Sequence, residues 1–122
     1  MCFAAYGSSI SATTIVKAIV ISNDPQVLPG KITTNTYFIN ESISLAVLSV
    51  GADNLFDLAN GNQALEPIGS IEYFDQTGDR IASSYGELNK HGQDSWALPH
   101  RSIDWVSRDE MGHSHAILAE MF

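Results

Sequence analysis

Cysteine, positive charge and long apolar runs are all scarce in this chain, and each shortage removes a class of protein. The single cysteine, Cys2, has no partner for an internal disulfide, so a disulfide framework is excluded and the expected compartment leans to the cytoplasm. Six basic residues stand against fourteen acids, a formal charge of -8. The bases Lys17, Lys31, Arg80, Lys90, Arg101 and Arg108 are scattered, with no local basic stripe. Polyanions attract cationic surfaces, so neither nucleic acid nor an anionic membrane surface is an expected partner. The longest nearly uncharged apolar run, around Ile15 to Ile21, is far below the ~20 residues that span a bilayer. No basic residue precedes Lys17 and Gly7-Ser8-Ser9 interrupts the opening stretch, so no secretory signal is expected. Glycine-rich phosphate loops and a G-x-S-x-G elbow are missing, and Cys2 lacks the setting of an activated thiol. The chain leans away from catalysis, and no cofactor is expected on this reading.

What remains is a packed globule. At 122 residues, 44% hydrophobic and 16% charged, the chain suits one domain over residues 1–122 and is too apolar to stay disordered. Strand signals dominate. The run Ile15 to Ile21 places β-branched residues on both parities, as a strand covered on both faces does. Asn23-Asp24-Pro25 and Leu28-Pro29-Gly30 supply turn chemistry before a second strand starts near Lys31. Ile32 to Ile39 and Ile43 to Val50, separated by Asn40-Glu41-Ser42, read as two strands of one hairpin. Asp53 or Asn54 is placed to cap a short helix near Asn54 to Leu58, which Asn60-Gly61-Asn62 ends. The clearest hairpin runs through Ile71 and Tyr73, turns at Asp75-Gln76-Thr77-Gly78, and returns through Arg80 and Ile81. The following stretch, Asn89 to Gly112, reads as turn-rich, anchored by Trp96 and Trp105. These patterns predict an all-β or β-rich α+β domain: a small antiparallel sandwich or barrel of about six to eight strands, with one short helix and an optional C-terminal helix.

Tyr73, Asp75 and Gly78 resemble the "YD..G" turn of small immunoglobulin-like domains, which implies a sandwich and no activity. At the other end of the chain, His113-Ser114-His115 followed by Glu120 resembles the first metal-binding motif of cupins. Gly61, Pro67-Ile68-Gly69 and Glu72 follow the spacing of the second motif, with Glu72 where that family has a histidine. The two fragments run in reversed order, and no glycine closes the first. What this resemblance implies is a divalent transition metal held by His113, His115 and Glu120, with His100 or Glu72 completing the set. On a strand, residues two apart share a face and the two imidazoles reach one ion. The same tail also reads as a helix: Ser107 and Glu110 form a capping box, and residues two apart then point about 200° away from each other. Both readings stand at this point.

Three functions follow. The first is a non-catalytic ligand- or protein-binding module whose loops present Tyr73, Trp96 and Trp105, although indoles in such a region more often close a core. The second is a cupin-like metal site at His113, His115 and Glu120. The third is a structural subunit that self-associates, because edge strands in so small a sheet need covering; a homo-oligomer is expected on that ground. Asp75, Thr77 and Asp79 lack the bidentate glutamate of a calcium loop, so the turn reads as plain hairpin chemistry.

Overall fold

In the computed structural model, which describes residues 13–107, the strand-forming runs pair as six antiparallel strands in two sheets. Strands β1 (Thr14–Ala18) and β2 (Thr33–Tyr37) make a two-stranded ribbon. Strands β3 (Val47–Ala52), β4 (Ile68–Phe74), β5 (Arg80–Lys90) and β6 (Ile103–Ser107) form a four-stranded meander in chain order. A short helix, α1 (Leu55–Ala59), and a 3-10 turn, Asp94–Ala97, complete the described elements. The all-β sandwich expectation holds. The barrel alternative does not, because the two sheets remain separate among the described residues.

Side-chain alternation along β4 divides the molecule into layers. Ser70, Glu72 and Phe74 face the ribbon: Thr36 of β2 bonds to Glu72, and Phe38 meets Phe74 edge to face with centroids 4.9 Å apart. Ile15 of β1 lies over Gly51 of β3, so the ribbon rests on the sheet at a second point. The opposite face carries the apolar core, in which Leu58, Leu88 and Trp96 are buried and Val50, Ala52, Leu55, Leu65, Ile103 and Trp105 pack around them. Helix α1 supplies Leu58 to this core and leaves Phe56 exposed, as a single-sided helical stripe requires.

Two local details explain the sheet. Gly78 holds φ at +89°, which the tight β4–β5 turn requires and a side chain disfavours. At Gly86, a Cβ would collide with the Val106 carbonyl and crowd the Trp105 ring, so only glycine admits β6 and its indole this closely.

Several sequence expectations need correction. The two runs read as one hairpin, Ile32 to Ile39 and Ile43 to Val50, belong to different sheets: β2 pairs with β1, and β3 with β4. They meet face to face, through Thr36 and Ser49. The first strand is not covered on both faces, since Val16 and Ile19 are exposed; Ile15 reaches the sheet from the inner side. Part of the stretch taken as turns is strand, because β5 continues to Lys90 and β6 takes Ile103–Ser107. Asn54 does cap α1, but from the left-handed region and without a side-chain bond. Asparagine tolerates that conformation. The far end is closed instead by Asn60 Nδ2 donating to Phe56 O and Arg101 Nη1 donating to Ala59 O. The optional C-terminal helix lies outside the described residues.

The β4–β5 turn has a built-in pH dependence. Asp75 Oδ1 accepts from the Thr77 hydroxyl, the Thr77 amide and the Asp79 amide. The Thr77 hydroxyl above all, with the turn amides, holds this carboxyl below an aspartate's ordinary value. A lowered folded pKa contributes stability that is complete above the unfolded value, about 4, and is lost as pH falls through the folded one. Asp75→Asn therefore melts below the wild type at pH 7, and thermal scans from pH 7 down to pH 2.5 show the gap closing below about pH 4. A gap constant with pH contradicts the assignment.

Candidate functional site

Between the ribbon and the sheet lies a polar cleft of about 210 Å³. The ribbon and the segment leading into it contribute Lys31, Thr33 and Thr34; the sheet contributes Ser70, Glu72, Arg80, Ser83 and Tyr85. Strand periodicity places Ser70 and Glu72 on one face of β4 two residues apart, and antiparallel pairing sets Ser83 opposite Glu72 and Tyr85 opposite Ser70. Hydroxyl-rich β-branched sequence on β2, "TTNTY", supplies the facing wall.

Glu72 is the electrostatic centre of this contact, with a side chain only 2% exposed. A carboxylate so buried needs a partner on each oxygen. Arg80 Nη1 donates to Oε1 at 2.7 Å, and the Thr36 hydroxyl donates to Oε2 at 2.6 Å. The same Nη1 reaches Asn35 Oδ1 at 2.9 Å, and Ser49 Oγ lies 2.7 Å from Thr36 Oγ1. One buried acid thus connects β2, β3, β4 and β5. Thr34 Oγ1, also on the cleft wall, is buried without a hydrogen-bond partner.

The other residues singled out in the sequence fall elsewhere. Tyr73 is buried on β4, one position from Glu72 and so on the opposite parity. Trp96 lies in the 3-10 turn, buried on Leu58 and Leu88, with its indole N–H donating to the His91 carbonyl at 3.1 Å. Trp105 is on β6 and packs around the same cluster. The two indoles come together as core lids, and none of the three aromatics is carried on an open binding loop. Arg101 lies over the Trp96 ring, 5.8 Å from its centroid, which ties this lid to the end of α1.

His113, His115 and Glu120 lie outside the described residues. Of the residues named to complete their ligand set, His100 is exposed in a bend and Glu72 has both oxygens engaged by protein groups. Among the described residues no group of three or more histidine, cysteine, aspartate or glutamate side chains is placed to hold a metal ion. Nor is any described helix long and apolar enough to cross a membrane.

No family model, curated protein or solved structure matches this chain.

Sequence reading passed over Arg80, Thr36 and Thr34. One signal was present: in "IGSIEYF" a single charge interrupts an otherwise uncharged strand, and an acid there is either solvent-facing or paired inside. The Glu72–Arg80 contact is only partly screened, because Arg80 keeps 43% of its side chain exposed. Arg80→Met leaves the carboxylate without its cation and costs about 2 kcal/mol in urea unfolding, discounted from fully buried pairs. In a double-mutant cycle with Glu72→Gln, a coupling of about 1 kcal/mol or more is expected. Additive losses would mean that the pair does not act as a unit.

Proposed function

We propose that this chain is a non-catalytic binding module that holds a small polar molecule in the cleft between ribbon and sheet. One observation carries the reading. Among the described residues the only buried carboxylate at the cleft, Glu72, has both oxygens committed to Arg80 and Thr36, so it braces the walls and keeps no lone acid or base for proton transfer. Hydroxyls and one guanidinium then line a concave space, the arrangement that orients a ligand by hydrogen bonds. Ser83 is exposed at the rim, so a larger side chain there fills the cleft without entering the core.

Titration of isotope-labelled protein with a library of small polar molecules, charged and neutral, tests this by NMR. Binders shift the amide signals of Thr34, Ser83 and Tyr85, and Ser83→Phe abolishes those shifts while changing stability by no more than about 0.5 kcal/mol. Binding that survives Ser83→Phe places the ligand elsewhere and removes the proposal.

Self-association is the second reading, favoured by the ribbon. Val20 and Leu28 expose 76% and 87% of their surface beside the edge strand β1, which pairs among the described residues with β2 alone. An open apolar edge is what a second copy covers. Sedimentation velocity then gives a dimer that Val20→Lys converts to monomer; a monomeric wild type at high micromolar concentration removes this reading.

A further inference from the structure

We propose that Asn60 is a self-modification site: its side-chain amide converts to a carboxylate through a cyclic imide, and the seated end of helix α1 holds that reaction off until the end opens. The site lies on the opposite face of the sheet from the cleft.

Sequence supplies the chemistry. Asn60 is the one asparagine of the chain that is followed by glycine. When hydroxide takes the proton from the backbone nitrogen after an asparagine, that nitrogen attacks the side-chain carbonyl carbon. The new N–C bond closes a five-membered imide, the Cγ–Nδ2 bond breaks, and the amide leaves as ammonia with a proton from water. Water then adds to either imide carbonyl and reopens the ring to aspartate, or to isoaspartate, in which the main chain runs through the side-chain carbon. The net change is amide plus water to carboxylate plus ammonia, with nothing oxidised or reduced. A glycine in the second position has no Cβ to obstruct the attacking nitrogen and turns freely. Such asparagines are among the thermolabile residues of proteins.

Geometry supplies the restraint. Asn60 is exposed, so water and hydroxide reach it. Its ψ is 2°, whereas ring closure brings the Gly61 nitrogen alongside Cβ, which stands about a third of a turn away on the tetrahedral Cα. Turning ψ that far breaks the bond from the Gly61 amide to the Leu58 carbonyl and carries the Asn62 amide off the Asp57 carbonyl, both 3.0 Å. The side chain is tied as well, because Nδ2 donates to the Phe56 carbonyl at 2.8 Å. Arg101 pins the residues on either side. Its Nη1 donates to Ala59 O at 3.0 Å, and its guanidinium lies so near Gly61 that an added Cβ would stand 3.2 Å from Nη2. The same guanidinium lies over the Trp96 ring, so one arginine joins Asn60 to the lid of the core.

The ends of secondary elements open at much smaller free energies than the whole fold. Each opening of this one frees the nitrogen and the amide together, and the native rate is the unfolded rate multiplied by the open fraction. The product does not reseat. Its carboxylate faces the Phe56 carbonyl as a second acceptor where a donor stood, and isoaspartate adds a backbone carbon that moves the Gly61 amide from Leu58 O. Leu58, fully buried, belongs to the same turn. Modification therefore records past opening of α1 as a lasting loosening of the core.

The test incubates the full chain at 37 °C and a pH of about 8, then locates by peptide mass spectrometry the gain of about 1 Da and the isoaspartate at residue 60. Native Asn60 is expected to react at least about tenfold more slowly than in urea that unfolds the chain. Arg101→Gln is expected to speed the native reaction by about threefold to tenfold and to leave the rate in urea unchanged. A series of urea concentrations below the unfolding transition reads the same opening without a substitution: the reaction accelerates while tryptophan fluorescence stays native. Equal rates in the native and unfolded chain, a rate in urea no greater at Asn60 than at Asn54 or Asn89, or a native rate unmoved both by Arg101→Gln and by urea below the transition overturns the proposal.

Discussion

Glu72 is a charge taken out of water in the middle of a β-strand, and the contact between the two sheets is arranged around that constraint. An ionised carboxylate buried without partners costs many kcal/mol, so the fold must bring it a cation and a donor. The cation comes from β5 and the donor from β2, elements 8 and 36 residues away in sequence. Satisfying Glu72 therefore fixes where the ribbon lies on the sheet. A polar anchor of this kind adds little net stability compared with an apolar replacement. What it supplies here is position: Thr36 has to sit over Glu72, and Ser49 then falls within reach of Thr36.

The two faces of the four-stranded sheet use different physics as a result. One face buries Leu58, Leu88 and Trp96 with their apolar neighbours, a non-directional contact worth roughly 25 cal/mol for each Å² removed from water. The other face holds the ribbon through hydroxyls, a carboxylate and a guanidinium, supplemented by Ile15 over Gly51 and by Phe38 against Phe74. Directional contacts cannot fill all the space between layers, and the cleft is the space left beside them. Its walls are polar because the contacts that set its width are polar. The same argument explains the orphaned Thr34 hydroxyl, which lies in a wall built from hydrogen-bonding groups but one position pair away from the Glu72 cluster.

What could be read in the sequence was local. The β4–β5 hairpin was legible because Asp75 and Gly78 carry its turn within four residues, and α1 because Asn54 and Asn60-Gly61 bound a short apolar stripe. Strand partners were not legible. Alternation in Ile32 to Ile39 and Ile43 to Val50 reports which residues share a face, and it is silent on whether two strands meet edge to edge or face to face. Glu72 drew notice for its position in a spaced motif, and its spacing pointed to a metal, whereas its burial and partners depend on residues that no local pattern links to it. Trp96 and Trp105 illustrate a further limit. Two indoles in a sequence rich in turns suit a core lid more often than a binding surface, and what decides it lies in Gly86, which lets the Trp105 ring approach β5, and in Leu58, which Trp96 covers.

The central claim is that the buried carboxylate docks the ribbon. Residue-resolved amide hydrogen exchange on the wild type and Glu72→Gln tests it directly, because local opening and global unfolding give different patterns. The account predicts that protection falls in β1 and β2 while the amides of β4, β5 and β6 keep theirs. Equal loss across both sheets, or unchanged protection in the ribbon, would contradict it.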